Sequence, residues 1–284
     1  MTKEILAVFI STIVILSIFS FALAQPPTNT PPNLVPATNE KSGIGVTVTI
    51  PSHAVEVAPG VFQLPDATNV DGRVVQGFMF VDYKNTHAKP PGAGKGGGGG
   101  TTKCYSFLAS GAKWKTVEPW VVNPTNTEGL DSNFVLSNLA SSIQKWETAS
   151  GINILGDGST TNATLVADTS SPDGVNEVYF GNVGSSGAIA VTIVWGIFGG
   201  PPSQRKLVEW DQVYDQVDFD WSATGEANKM DFENINAHEL GHSNGMGHPD
   251  DSCTEETMFR FASTGETKKR DLNAGDIAGI QALY

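Results

Sequence analysis

The stretch HELGHSNGMGH, residues 238–248, contains three of the five histidines in a chain of 284 residues. His238 and His242 are four residues apart, so on a helix both imidazoles lie on the same face, one turn from each other. Two imidazoles in that position can bind one metal ion, and Glu239 lies beside them in the same turn. The spacing H-E-x-x-H is typical of a zinc site in which the glutamate lies next to the ion without binding it.

Two further residues extend this pattern. Gly245 comes three residues after His242, and a glycine there allows the positive φ by which a chain turns sharply out of a helix. We therefore expect His248 to return towards the same ion. Three neutral imidazoles and one water form a four-coordinate catalytic zinc site, and zinc lowers the pKa of its bound water to about 7. Glu239 is the predicted general base, and a peptide bond is the natural substrate.

Three other functions stay open for this motif. A zinc ion that only stabilises the fold would prefer four protein ligands, for which Cys253 is a candidate. A zinc hydrolase acting on a non-peptide amide would use the same three histidines. A secreted or surface-attached binding protein with a vestigial or latent zinc centre would also retain them. The intact Glu239 argues against this last function, because a zinc site without catalysis has no need of that carboxylate.

The acidic composition of the chain bears on which molecules and ions it can bind. The formal net charge is −13 and the isoelectric point is near 4.7, which argues against nucleic-acid binding because that needs basic patches. Many carboxylates could hold Ca²⁺, but no stretch has the ligand spacing of a calcium loop. For Asp218 and Asp220, a calcium site and a solvated acidic turn are the alternatives. We expect a monomer.

The N-terminus predicts an export signal. Residues 1–24 contain Lys3, then a long apolar run, and finally the small residues Ala22 and Ala24. This pattern is typical of a signal peptide, so we expect cleavage after Ala24 and a secreted protein. An uncleaved membrane anchor is the alternative, because the apolar run approaches the length of a membrane span.

The rest of the chain divides at a linker. Residues 25–88 combine a Pro-rich stretch with a small β-rich N-terminal segment, in which NVDG at 69–72 predicts a turn between strands. Residues 89–103 are rich in Gly and Pro, and five consecutive glycines have no place inside a packed element. The catalytic domain is predicted over residues 104–284. For the β-rich segment, a propeptide, a folding aid and an attachment module stay open as roles.

Hydrophobic periodicity predicts an α+β fold for the catalytic domain. Helices are predicted over residues 131–150, 230–242 and 272–284, the last with Asn273 as its cap and Asp276 three residues on. Strands are predicted, in chain order, over residues 44–50, 74–83, 152–155, 163–167, 176–182 and 188–195. Residues 207–221 are predicted to form another strand or a hairpin.

With these residues the chain resembles the metzincin zinc endopeptidases. Their pattern H-E-x-x-H-x-x-G-x-x-H matches residues 238–248 without a gap. Met258, ten residues after His248, suits the methionine that lies in a tight turn beneath the zinc in that family. The stretch from Asp276 to Tyr284 resembles the final helix of the matrixins, in particular of prokaryotic matrixin-like proteases.

The resemblance implies a metzincin-type catalytic domain, with a twisted mixed sheet, an active-site helix, a Met-turn and a C-terminal helix. It also implies one catalytic Zn²⁺ and protein or peptide substrates. The strand at 188–195 would be a sheet edge along which an extended substrate pairs. Residues 260–269 would form a wall of the pocket for the substrate side chain beyond the scissile bond.

The two cysteines depart from the pattern of animal matrixins. Those proteins are kept latent by a propeptide cysteine in a Pro-Arg-Cys-Gly setting, whereas Cys104 lies in TTKCYSF, after the linker. An even count in an oxidising compartment favours a disulfide between Cys104 and Cys253. Free thiols and a latency thiol at Cys104 are the alternatives.

Overall fold

The computed structural model describes residues 46–84 and 103–284. The predicted export signal, the Pro-rich stretch and almost all of the predicted linker lie outside the described residues. Within the two described ranges, no helix is both long enough and apolar enough to cross a membrane.

Strands and helices follow one another along the described ranges. The strands are β1 Thr47–Val48, β2 Val55–Ala58, β3 Val61–Thr68, β4 Val74–Lys84, β5 Ser106–Phe107, β6 Glu118–Asn123, β7 Leu155–Thr160, β8 Asn176–Val183, β9 Ala188–Ile197, β10 Lys206–Asp215, β11 Trp221–Ser222, β12 Met230–Asp231, β13 Met246–Gly247 and β14 Phe261–Ala262. The α-helices are α1 Ser132–Ser150, α2 Phe232–Ser243 and α3 Ala274–Leu283, and short 3₁₀ turns cover Pro202–Gln204 and Lys268–Arg270. The three predicted helices are confirmed.

Helix α1 begins and ends where local chemistry favours it. The carboxylate of Asp131 accepts hydrogen bonds from two backbone N–H groups of the first turn, at 2.9 and 3.1 Å. The helix ends where Gly151 adopts a positive φ of 74°. The predicted apolar stripe is buried, and its members are Val135, Leu139, Ile143 and Trp146. This face packs α1 into a core that it shares with α2.

One mixed sheet forms the centre of the fold. Its main path runs β2-β3-β4-β9-β10-β8-β6-β7, with β1 beside β8 and β14 beside β4. Strands β10, β8, β6 and β7 are parallel to one another, whereas β9 is antiparallel to β10. A mixed sheet with three helices is the predicted α+β, metzincin-type fold, which is therefore confirmed.

The β-rich N-terminal segment joins this sheet. The predicted turn at 69–72 connects β3 to β4, and the N–H of Gly72 donates to the carbonyl of Asn69 at 2.9 Å. Strand β4 then pairs with β9 along almost its whole length. Four apolar residues of β4 are buried, on both of its faces: Val75, Met79, Phe80 and Val81. A unit of about 40 residues is too small to bury them alone, so the segment does not form a sheet of its own.

The position of β9 corrects one expectation. The strand at 188–195 is not a sheet edge, because β9 has β10 on one side and β4 on the other. Both faces of β9 are also covered, which explains why its sequence is apolar almost throughout rather than alternating. Nine of its ten residues are buried, and Thr192 is the polar side chain among them.

Four predicted strands differ from the structure. The one predicted at 207–221 ends at Asp215, the last residue of β10. Of the strand predicted at 44–50, residues 46–50 are described, and within them Thr47–Val48 pairs in parallel with β8. The strand predicted at 152–155 begins at its last residue, Leu155. Residues 163–167 form no strand, because side chains take the place of a partner strand there, as where Ala167 N–H donates to the Tyr179 hydroxyl at 3.2 Å.

Apolar side chains fill both faces of the sheet. On the helix face, one core includes Trp146 of α1, Phe80 of β4 and Leu240 of α2. On the opposite face, a second core includes Leu64 of β3 and Val81 of β4. The hairpin β3–β4 therefore contributes to the packing on both faces of the sheet.

Candidate metal centre

Helix α2 carries two of the three motif histidines through the core. It begins at Asp231, whose carboxylate accepts a hydrogen bond from Asn234 N–H at 3.0 Å and is held by Arg270 at 2.6 and 2.8 Å. His238 and His242 lie one turn apart, with ring centroids 4.9 Å from each other. Both side chains are buried, so the helix presents them to a site from which bulk water is excluded.

A sharp turn then brings the third histidine back. Gly245 has a φ of 93°, as predicted, and a Cβ there would press on the carbonyl oxygen of Ala112. His248 Nε2 consequently lies 3.0 Å from His242 Nε2, and the rings of His238 and His248 have centroids 5.3 Å apart. The structure thus brings all three predicted ligands together.

The ring nitrogens of the helix histidines have divided roles. His238 Nδ1 bonds to the carbonyl of Thr257 at 2.6 Å, and His242 Nδ1 bonds to the carbonyl of Met246 at 2.9 Å. A carbonyl accepts, so each Nδ1 carries the proton and each Nε2 keeps a free lone pair. This outer hydrogen bond is the usual companion of a metal-binding histidine.

The three Nε2 atoms fit a zinc ion. Zinc binds imidazole nitrogen at about 2.0–2.1 Å, which places two ligands of a tetrahedron roughly 3.3 Å apart. The separation of 3.0 Å between His242 and His248 is close to that value. Burial lowers the pKa of His238 to about 3, against the opposing charge of Asp82, and burial also lowers the pKa of His248. His238 and His248 are therefore neutral, as metal ligands must be.

Glu239 lies beside these ligands with one oxygen held in place. Its Oε2 atom accepts a hydrogen bond from the Thr192 hydroxyl of β9 at 2.6 Å, and the side chain is fully buried. Its Oε1 atom has no hydrogen-bond partner in the described part of the chain. Burial raises the pKa of Glu239 well above its usual value, and the Asp82 carboxylate raises it further. A raised pKa suits a group that must both accept and return a proton near neutral pH.

Met258 lies under the histidine helix. Its sulfur fills the space beside Gly241, where a Cβ would overlap it, so this helix position needs a glycine. The turn that carries Met258 is fixed by Asp276 of α3, which accepts hydrogen bonds from Thr257 N–H at 2.7 Å and Met258 N–H at 3.1 Å. Because the Thr257 carbonyl orients His238, Asp276 supports the centre from behind.

Asp82 is a member of the centre that the motif does not include. Its carboxylate lies among the three imidazoles, and one atom from each of these four side chains lies within 4.8 Å of the others. Asp82 comes from β4, over 150 residues before His238 in the chain. One signal could have found it, since it is the only carboxylate in the apolar stretch VVQGFMFVDYK at 74–84.

The two cysteines form a disulfide in the structure, between Cys104 and Cys253, with Cα atoms 5.5 Å apart. Neither sulfur is one of the four groups that could bind the ion beside His238. The disulfide joins the residues after the linker to the loop between His248 and Met258.

A cleft of about 410 Å³ opens beside His248. Its walls include Phe78 and Phe80 of β4 and Phe107 of β5, with Arg260 at its rim. One wall of this cleft therefore belongs to the N-terminal hairpin.

Carboxylates gather at a second place in the described chain. Asp168, Asp173 and Glu209 bring their oxygens within 4.8 Å of one another, whereas Asp218 and Asp220 are exposed. Burial, together with the neighbouring Asp211, raises the pKa of Glu209 to about 10. Binding of Ca²⁺ stays a prediction without a sequence motif.

Comparison with known proteins agrees with this geometry. A family model described as Matrixin matches residues 199–284, a range that includes α2, Met258 and α3. This chain is matrixin-like. This matched range lies C-terminal to β9 and does not include Asp82 or the hairpin that carries it.

Two relatives are similar to this matrixin-like chain over short stretches. Metalloendoproteinase 2-MMP of Arabidopsis thaliana is 32% identical over 91 residues, which are 30% of this chain and 21% of that protein. Metalloendoproteinase 4-MMP of the same organism is 35% identical over 68 residues, which are 24% of this chain and 18% of that protein. The chain thus spans about a fifth of the length of the relatives it matches. At the level of the family, the similarity is to zinc metalloproteases.

Proposed function

We propose that this protein is a secreted zinc-dependent endopeptidase. The observation that carries the proposal is the convergence of three imidazole Nε2 atoms, with the Glu239 carboxylate beside them on the same helix. His238, His242 and His248 would hold the ion, and Glu239 would act as general base. When bound there, zinc supplies Lewis-acid chemistry that polarises a peptide carbonyl and activates water.

The protein groups have separable tasks in this reaction. Glu239 Oε1, which has no partner among the described residues, would take the proton of the attacking water and later give it to the leaving amine. The Thr192 hydroxyl holds the other oxygen, so the carboxylate has one orientation. Asp276 and the Met258 turn keep His238 in position, because the Thr257 carbonyl fixes its ring.

Secretion is supported by two features of the chain. The first 24 residues have the pattern of a signal peptide with cleavage after Ala24. The pairing of Cys104 with Cys253 suits an oxidising compartment. Sequencing of the N-terminus of protein from the culture medium tests this point: Gln25 as first residue supports it, and a retained Met1 on membranes would favour the anchor.

The metal site is tested by measuring the amount of zinc bound per chain. Wild type should hold about one zinc per chain, and His238→Ala should hold far less, because a lost ligand leaves only two imidazoles of the motif. His53→Ala is the matched control, since His53 is exposed and outside the cluster. Cleavage of an unfolded protein that continues after a chelator has removed all zinc would contradict the mechanism.

A second function is favoured by one observation. The Asp82 carboxylate already lies among the three imidazoles, as a latent zinc centre in a binding protein would require. If the protein binds one zinc per chain and still cleaves no substrate after Asp82 is replaced by Asn, that result would favour a binding protein over an endopeptidase.

A further inference from the structure

Asp82 brings a carboxylate into the middle of the three imidazoles. Its Oδ1 atom lies 2.9 Å from His248 Nε2 and 3.3 Å from His238 Nε2, and its Oδ2 atom lies 3.6 Å from His242 Nε2. The residue is only 5% exposed, and neither oxygen accepts a hydrogen bond from a backbone or hydroxyl donor within residues 46–84 and 103–284. A carboxylate buried without donors is costly unless a cation binds it.

These four side chains form a complete ligand set for zinc. Zinc takes four ligands in a tetrahedral arrangement, and histidine nitrogen and aspartate oxygen are both common among them. A catalytic site leaves one position open for water or substrate, whereas four protein ligands close it. In this chain the fourth group comes from β4, a strand that lies outside the range matched by the matrixin family model.

Strand β4 also pairs with the two segments to which the resemblance to metzincins gives a role in substrate binding. It pairs antiparallel with β9, from Gln76 opposite Gly196 to Tyr83 opposite Ala188. Its end pairs with β14, which lies in the predicted pocket wall at 260–269. An extended peptide binds a sheet edge through backbone hydrogen bonds, and both strands already make those bonds to β4.

Strand alternation places Asp82 on the inward face of β4. The register with β9 shifts just after Asp82, where β9 carries Ile189 as one extra residue, so the bulge lies in β9 and leaves the alternation of β4 intact up to Asp82. Phe80, two residues earlier on the same face, stacks its ring on His242 with centroids 3.9 Å apart. Two successive inward residues of β4 therefore contact the histidine cluster.

We propose that Asp82 is the fourth protein ligand of the zinc ion and that β4 is an inhibitory segment that holds the centre closed. This inference rests on the proposed function, because it needs zinc at the three histidines. It gives the β-rich N-terminal segment the role of a propeptide. Release of Asp82 opens the fourth position to water, and displacement of β4 frees the edge of β9 for a substrate strand.

Cobalt loading of the full chain tests the ligand directly. Co²⁺ takes the place of zinc, and its visible absorption changes with its ligands. Wild type is compared with Asp82→Asn, which keeps the side-chain shape but removes the charge, and with Asp66→Asn. Asp66 is exposed on β3 of the same hairpin and is the matched control. Acetohydroxamate, a small metal ligand, is the probe for an open position.

We expect acetohydroxamate to change the spectrum of Asp82→Asn at a concentration about tenfold or more below that needed for wild type or Asp66→Asn. The reason is that a closed centre reduces the apparent affinity by the fraction of chains that are open. Asp82→Ala is the second variant, and near-UV circular dichroism checks that each variant folds. Equal spectra and equal acetohydroxamate affinity in all folded proteins would overturn the proposal.

Failure of the proposed function gives a different result. If neither zinc nor Co²⁺ binds to any of these proteins, the metal centre itself is wrong and the inference falls with it. If Asp82→Asn binds acetohydroxamate more tightly and still cleaves no unfolded protein, the ligand assignment stands and the endopeptidase function fails.

Discussion

The segment from α2 to Met258 and the hairpin β3–β4 both deliver buried side chains to one centre, and they differ in how the sequence encodes this. In the first, the ligands are a few residues apart, so helical spacing and one glycine turn bring them together. In the second, Asp82 reaches the histidines only because β4 pairs with β9, whose residues lie over 100 positions further on. Local spacing creates the metal site, whereas long-range strand pairing determines what covers it.

The largest expected effect is on turnover, and it follows from a change in the segment from α2 to Met258. Glu239→Gln removes the proposed general base but keeps the side-chain volume, so turnover should fall about 10²–10⁴-fold while zinc stays bound. Activity and zinc content are measured in wild type and in an Asp82→Asn background, where the centre is open. A Glu239→Gln protein that retains full turnover would show that the base lies elsewhere.

The second prediction concerns the contribution of the disulfide between Cys104 and Cys253 to the free energy of unfolding. Cys104 and Cys253 are 149 residues apart in sequence, and the chain-entropy model gives about 5 kcal/mol of stability for a closed loop of that length. Replacement of both by alanine should lower the free energy of unfolding by about 2–5 kcal/mol, the usual range for removal of a native disulfide. Urea unfolding measures this, with unreduced and reduced wild type beside it. An unchanged midpoint would contradict the expectation.

A pair of leucines compares the hairpin β3–β4 with helix α1, which packs against α2. Leu64 of β3 and Leu139 of α1 are both fully buried, in different cores. Each change to alanine should lower the free energy of unfolding by about 2–5 kcal/mol, because a cavity is left in packed surroundings. Urea unfolding followed by tryptophan fluorescence is the measurement.

The outcome for Leu64→Ala decides between two views of the hairpin. If β3–β4 is integral to the sheet, one cooperative transition should shift as it does for Leu139→Ala. A separate early transition, with the main midpoint unchanged, would instead show that the hairpin unfolds independently of α1.

The smallest expected effect is on the pH dependence of stability, and it comes from the carboxyl groups of Glu177 and Asp168, which lie outside residues 238–258. Burial, together with the charge of the nearby Asp173, raises the pKa of Glu177 to about 7 and that of Asp168 to about 6. A carboxyl with a raised pKa holds its proton more tightly in the folded chain, so its contribution to stability is full below about pH 4 and is lost as the pH rises towards 7.

Thermal unfolding between pH 4 and 8 measures this loss. The midpoint should fall across that window, and Glu177→Gln should make the fall shallower because one titrating group is gone. Glu255→Gln, an exposed change of the same kind, is the control. A midpoint that rises with pH and is unaffected by Glu177→Gln would reverse the sign of the argument.

The sequence predicts those parts of the molecule that depend on neighbouring residues. The apolar stripe of α1, the turn at 69–72, the positive φ of Gly245 and the bond from Asn273 N–H to Asp276 all follow from signals within a few positions. For the same reason, the spacing within residues 238–248 is enough to place the three histidines around one centre with the glutamate beside them.

Features set by distant pairing were beyond such signals. The register of β4 on β9, the bulge of β9 opposite the end of β4 and the bond from Thr192 to Glu239 all join segments that are far apart in sequence. Residues 163–167 have strand-like composition, yet side-chain acceptors replace a partner strand there. Which side chains meet is decided by tertiary packing, and composition alone does not specify it.

The order of the ligands along the chain has a consequence for the way the protein is made. Asp82 emerges during synthesis before any histidine of the centre, and Asp276, which fixes the Met258 turn behind His238, emerges after them all. The inhibitory strand is therefore already present when the zinc ligands first come together, and the centre reaches its final form only after α3 has folded. On the proposed function, a newborn chain passes through no stage at which an open, finished protease is exposed to the proteins around it.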